Sequence, residues 1–138
     1  MINWLANPNR FSKLTGNLQL PLIILSTTMI LLGLYYGLFD SPQDYQQGDA
    51  VRIMYVHVPS AWLASFLFFS LAISCIFYLV WKHPLADLIS NAIAPIGAIF
   101  SILTLVTGSL WGKPMWGTWW VWDARLTSML ILFFFYLG

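Results

Sequence analysis

Four apolar runs separated by short polar segments organise the chain. No Asp, Glu, Lys or Arg falls between Lys13 and Asp40, between Arg52 and Lys82 or between Asp87 and Lys113. A bilayer core of about 30 Å takes roughly 20 helical residues, and each of these gaps is long enough to hold one span. A fourth run, 126–138, is shorter than that. Backbone polar groups in lipid must be satisfied within a helix or a closed barrel. Barrel strands alternate in polarity, and Leu20-Pro-Leu-Ile-Ile-Leu25 does not. The pattern therefore predicts an all-α, polytopic helical membrane protein that forms a single integral membrane domain over 1–138. Its three full transmembrane helices fall at about 18–39, 57–81 and 88–111, with a truncated fourth at 126–138. The outward loops are 40–56 and 112–125.

Local signals refine these boundaries. Residues 1–17 read as polar and interfacial. Arg10 and Lys13 ahead of an apolar run resemble the start of a secretory signal. The run is longer than a signal's apolar region and lacks a small-residue cleavage site, so it is expected to be retained. Gly33-Leu-Tyr-Tyr-Gly37 is a G-x-x-x-G pattern suited to close helix approach. Proline favours a helix's first turn, so Pro59 suggests that the regular second span begins near it, leaving His57 at the membrane edge. Lys82-His83-Pro84 ends that span. Pro95 predicts a kink in the third, with Gly97 and Ser101 as small packing residues.

Composition supports this class and narrows it. The chain is 59% apolar and 8% charged, against about 25% charged in soluble domains, so its main partner is the lipid bilayer. Six Lys and Arg against five Asp and no Glu exclude a basic nucleic-acid binder and an acidic tail. The single cysteine, Cys75, lies mid-span as a small apolar packing residue and provides neither an internal disulfide nor a C-x-x-C-H haem attachment. Basic residues tie across the membrane: Arg10, Lys13 and Lys82 on one side, Arg52, Lys113 and Arg125 on the other. The two cations ahead of the first span favour a cytoplasmic N-terminus.

Two features carry candidate chemistry. Five of the eight tryptophans lie between Trp111 and Trp122, where even scattering would put about 0.7. An interfacial aromatic belt explains one or two indoles per helix end. Trp116, Trp119, Trp120 and Trp122, in a segment broken by Gly112, Pro114 and Gly117, also suit a flat platform for a large planar ligand. If that segment is helical, Trp116, Trp119, Trp120 and Asp123 share a face; if it is extended, Thr118, Trp120 and Trp122 do. Lys113 and Arg125 rim this surface. Arginine clamps a carboxylate bidentately, so Arg125 leads as the partner of an anionic arm such as a propionate, followed by Lys113 and Arg52. Asp123, just ahead of the fourth apolar run, reads as a helix cap that also contacts Arg125.

His57 is the second feature, as either a hydrogen-bonded interfacial residue or an axial ligand to haem iron. His83 falls on the opposite side of the membrane and reads as structural. No nucleophile with a base, carboxylate pair or phosphate loop is present, so the expectation is not an enzyme.

Trp116-Gly-Thr-Trp-Trp-Val-Trp-Asp-Ala-Arg-Leu-Thr127 resembles the WWD signature of the membrane haem-handling proteins of cytochrome c biogenesis. The continuation Asp-Ala-Arg-Leu-Thr-Ser is similar to the haem exporter protein C (CcmC) family, as is the stretch Asp44 to Trp62, which resembles the segment carrying that family's first haem-ligating histidine. The resemblance implies a haem b-binding protein of the bacterial inner membrane that presents haem at the periplasmic face. It further implies delivery to the chaperone CcmE, together with CcmD and the ABC-transporter subunits CcmA and CcmB. His57 then matches the axial iron ligand, and Trp116, Trp119, Trp120, Trp122 and Asp123 match the haem platform, with the tryptophan loop periplasmic. The family has six spans and a second axial histidine in a later outward loop, which no residue here matches. The expectation is a truncated unit offering one axial bond. The competing readings are a respiratory membrane anchor holding haem b or quinone, and a purely structural helix-packing subunit.

Overall fold

A computed structural model describes residues 7–138; residues 1–6 of the expected interfacial segment 1–17 lie outside the described part. Helix α1 runs Pro8–Tyr35 and continues as a π-helical turn, Tyr36–Asp40. A loop and a 3₁₀ turn, Asp49–Ile53, lead into α2, Met54–Trp81. Helices α3, Pro84–Trp116, and α4, Ala124–Leu137, complete the chain. The segments Pro8–Asp40, Asp49–Trp81 and Pro84–Trp116, each of 33 residues, are long and apolar enough to cross a membrane. Each exceeds the roughly 20 helical residues that the hydrocarbon core requires, so the helices run on beyond the expected spans.

The termini follow from local chemistry. The Asn7 side chain accepts a hydrogen bond from the Asn9 amide at 3.0 Å, with Pro8 in the first turn where its missing N–H is harmless. Ser41 is driven extended (φ −68°, ψ 139°) by the following Pro42, which stops the π turn. In the loop, the Asp44 carboxylate accepts from the Gln46 and Gln47 amides at 2.9 and 2.8 Å, an Asx turn that reverses the chain. Gly117, at φ 76°, closes α3 by donating its amide to the Lys113 carbonyl at 3.0 Å. Pro59 lies inside α2 instead of opening it, because the preceding 3₁₀ turn has already set the helical path. Likewise Pro114 lies inside α3, which carries the helix through Trp116.

Helices α2 and α3 form an antiparallel hairpin, and α4 packs on α3. The buried positions of α3 are all small: Ala86, Gly97, Ala98, Ser101, Thr104, Thr107, Gly108 and Gly112. From Gly97 onward most recur at helical spacing, a stripe of the kind that lets membrane helices approach closely. Opposite it, Ser60 and Ala64 are the buried residues of α2. Tyr136 of α4 lies over Gly97, where any Cβ would overlap its ring, and donates its hydroxyl to the Ala64 carbonyl at 2.6 Å. The Phe68 ring meets it edge-on, centroids 5.5 Å apart. This contact ties three helices at one level. By contrast α1 has no buried residue and makes its contacts mainly through the π turn. Of the G-x-x-x-G pair, only Gly37 is used: a Cβ there would meet the Tyr55 Cβ at 2.9 Å, whereas Gly33 has open space.

Gly97→Val should therefore destabilise the bundle by about 1–3 kcal/mol through overpacking. Tyr136→Phe, which loses only the interhelical bond, should cost about 0.6 kcal/mol. Unfolding in mixed detergent micelles measures both, and Tyr136→Ala should relieve part of the Gly97→Val penalty. Additive losses in the double variant would exclude the packing account.

Candidate functional site

The site sits where α2 begins and α3 ends. His57, in the first turn of α2, places its Nδ1 3.0 Å from the Thr107 Oγ1 of α3. The adjacent Gly108 has no side chain to obstruct the ring: a Cβ there would lie 3.1 Å from the imidazole Cε1. The imidazole lines a largely apolar cavity of about 400 Å³, whose walls include Met54, Trp111, Trp116, Arg125 and Met129. That volume is within the range of small-molecule sites. Trp111 and Trp116 meet edge to face at 5.0 Å, and Trp116 packs over Gly112, where a Cβ would be 3.2 Å from its ring. The Trp111 indole donates to the Gln47 Oε1 at 2.9 Å, holding the 41–48 loop against α3.

Residues 117–123 carry no helix, which excludes the helical alternative that the sequence left open. The segment ends on Asp123, whose Oδ1 caps α4 by accepting from the Leu126 amide at 2.9 Å. Its Oδ2 accepts from Nε and Nη2 of Arg125 at 2.9 and 2.6 Å. The guanidinium carbon thereby lies 5.0 Å from the centre of the Trp116 ring, a cation–π distance. Arg125 thus reaches the cavity with Nη1 outside this pairing, and Asp123 acts by fixing it.

The other sequence candidates stand elsewhere. Trp119 is exposed and borders a separate open groove together with Leu105, Val106, Ser109 and Leu110 of α3. Lys113 lies 5.7 Å from the Trp119 ring and donates to the Gly117 carbonyl at 2.9 Å. Trp120 and Trp122 form an edge-to-face pair at 5.4 Å, with Trp122 76% exposed. Arg52 donates to the Leu38 carbonyl at 2.8 Å and pairs with Asp49 at 3.3 Å, so it joins the end of α1 to the 3₁₀ turn. His83 precedes α3 at the far end of the hairpin. The structure thus gathers His57, Trp116 and Arg125 and sets Trp119, Trp120, Trp122, Lys113 and Arg52 apart from them.

Sequence reasoning missed Thr107 and Gly108 beside the His57 ring, and Met54 and Met129 in the wall of its cavity. The signal available for the first two was the helical spacing of small and hydroxylated residues within the third apolar run.

The Leu126 amide and then the Arg125 guanidinium hold the Asp123 carboxyl below the usual aspartate range. A folded-state value below the unfolded one gives a contribution that is complete above the ordinary aspartate pKa of about 3.9 and is lost as pH falls through the lower folded value. Asp123→Asn keeps a capping oxygen but no charge. The stability advantage of the parent chain over this variant should therefore be flat above about pH 5 and shrink at lower pH. Micelle unfolding from about pH 2.5 to 7 tests this, and an advantage unchanged across that range would refute it.

Compared with known families, residues 1–138 match the family described as Heme exporter protein C. The chain is 56% identical over 135 residues to the Heme exporter protein C of Bradyrhizobium diazoefficiens, covering 97% of this chain and 51% of that protein. Identity to the Haemophilus influenzae protein of the same name is 50% over 141 aligned residues, covering 100% and 57%. For the Escherichia coli K12 protein, again Heme exporter protein C, it is 47% over 137 residues, covering 99% and 56%. The chain spans about half the length of the curated relatives it matches. By the family match over its full length and these identities, the chain belongs to the haem exporter protein C family.

Proposed function

We propose that this chain forms a haem-holding unit of a haem exporter serving cytochrome c maturation, carrying haem b as cargo. The observation that supports this reading best is the convergence of His57, Trp116 and Arg125 on one cavity beside an exposed aromatic loop. Each contributes a different part of haem recognition. An imidazole nitrogen of His57 ligates iron, the Trp116 indole offers an apolar face to the macrocycle, and the Arg125 Nη1 edge donates to a propionate.

Trp119, Trp120 and Trp122 have a second role in this reading. Set apart from the cavity on the loop that links α3 to α4, they form the surface from which haem passes to a partner. The partner assigned by the family resemblance is the chaperone CcmE on the periplasmic side of the bacterial inner membrane, with CcmA, CcmB and CcmD in the assembly. Lys113 supports this surface through Trp119, and Asp123 acts on haem through Arg125. Arg52 stabilises the loop framework and takes no direct part in binding. The N-terminus is then cytoplasmic. The protein's task is to hold and release a cofactor without altering it, which requires none of the paired acid and base groups of a catalyst.

Haem titration of the detergent-purified chain, read at the Soret band, tests this. His57→Ala should abolish the ligation shift of the band. Arg125→Ala should weaken binding by about tenfold or more, as expected for loss of a charge-assisted hydrogen bond. Trp119→Ala/Trp120→Ala should leave affinity nearly unchanged and slow transfer to an acceptor apoprotein. Equal Soret spectra in the parent and His57→Ala would overturn the assignment.

A further inference from the structure

We infer that Thr107 fixes the tautomer of His57, placing its proton on Nδ1 and leaving Nε2 as the ring nitrogen with a free lone pair. The argument is a proton count around one hydroxyl oxygen. A threonine hydroxyl has a single hydrogen and two acceptor lone pairs. The Thr107 Oγ1 lies 2.6 Å from the Leu103 carbonyl and 3.3 Å from the Thr104 carbonyl, both on its own helix. Carbonyls only accept, and an oxygen–oxygen separation as short as that to Leu103 requires a proton between the two atoms. The hydroxyl hydrogen is therefore committed to α3. Its 3.0 Å contact with the His57 Nδ1 then joins the Thr107 oxygen as acceptor to Nδ1–H as donor.

Gly108 completes the arrangement. It lets the Nδ1–Cε1 edge of the ring rest against α3, where a Cβ would come within 3.1 Å of Cε1 and crowd the ring. A histidine free in water favours the opposite tautomer, with hydrogen on Nε2. The nitrogen that a metal occupies is decided by the hydrogen bond that the other nitrogen makes. Thr107 therefore prepares His57 to ligate through Nε2 before any iron arrives, and it acts as a positioning residue. The consequence for cargo rests on the haem reading above; the tautomer itself does not.

The test has two arms, chosen to separate these claims. Long-range ¹H–¹⁵N correlation on the ¹⁵N-histidine-labelled, haem-free chain in micelles reports which nitrogen carries the proton. His57→Ala distinguishes His57 from His83. The Nδ1–H pattern is expected for the parent chain and Thr107→Ser, with a shift towards Nε2–H in the near-isosteric Thr107→Val. An Nε2–H parent, or a Thr107→Val variant that keeps Nδ1–H, overturns the inference. In the second arm, Thr107→Val should weaken haem binding by about 10–100-fold, as loss of a partner behind a ligating histidine does, and Thr107→Ser should restore it. A changed tautomer with unchanged haem affinity overturns the positioning role. An Nδ1–H parent that binds no haem supports the tautomer assignment and counts against the haem reading alone.

Discussion

The arrangement depends on how closely α3 lets its neighbours approach. Lipid is as apolar as leucine, so burying large side chains gives membrane helices little reason to associate. What remains is backbone-to-backbone packing and a few interhelical hydrogen bonds, and both require small residues. Gly97 makes room for the Tyr136 ring and Gly108 makes room for the His57 imidazole. Each glycine lies beside an interhelical hydrogen bond, from Tyr136 to Ala64 and from His57 to Thr107; a Cβ would overlap the first ring and crowd the second. The same stripe therefore stabilises the bundle and places the histidine.

The far wall of the cavity is set by two terminations. Gly117 adopts a left-handed conformation, releasing the chain from α3 immediately after Trp116. Asp123 restarts the helix and holds Arg125 with its second oxygen. Between them these residues turn the chain back over its own helix end, so that Trp116 and Arg125 meet ring to guanidinium. A longer connection would leave that contact to chance. The capping aspartate thus helps to shape the cavity through Arg125 without lining it.

The helical class was legible because it follows from charge-free length, a one-dimensional property. The Asp123 cap and its Arg125 contact were legible because both are local. The start of α2 was less so: Pro59 marked a first turn by its usual preference, while the 3₁₀ turn at Asp49–Ile53 had already committed the chain to a helix. The tryptophan segment gave two periodicities and no means of choosing between them, since Gly117 and Asp123 act only when the helices they end are in place. Hardest to see was the pairing of His57 with Thr107, 50 residues away. The spacing of small and hydroxylated residues marks Thr107 as a packing position of the third run, but nothing local names His57 as what packs there. The division of the tryptophans between cavity and loop likewise comes from which way α3 faces, which a count of indoles does not contain.

The largest side chain that is fully buried in the described residues is a serine, Ser101. An interior built this way reverses the usual map of mutational tolerance. In a soluble core, truncation is the damaging change because it leaves a void; here the leucines, isoleucines and phenylalanines mostly face outward from the described helices and take little part in the contacts among them. Intolerance should instead collect at the glycines, alanines and serines, and be directed against gain of volume. For the contacts among these helices, the positions that resist change will then be recognised by their smallness.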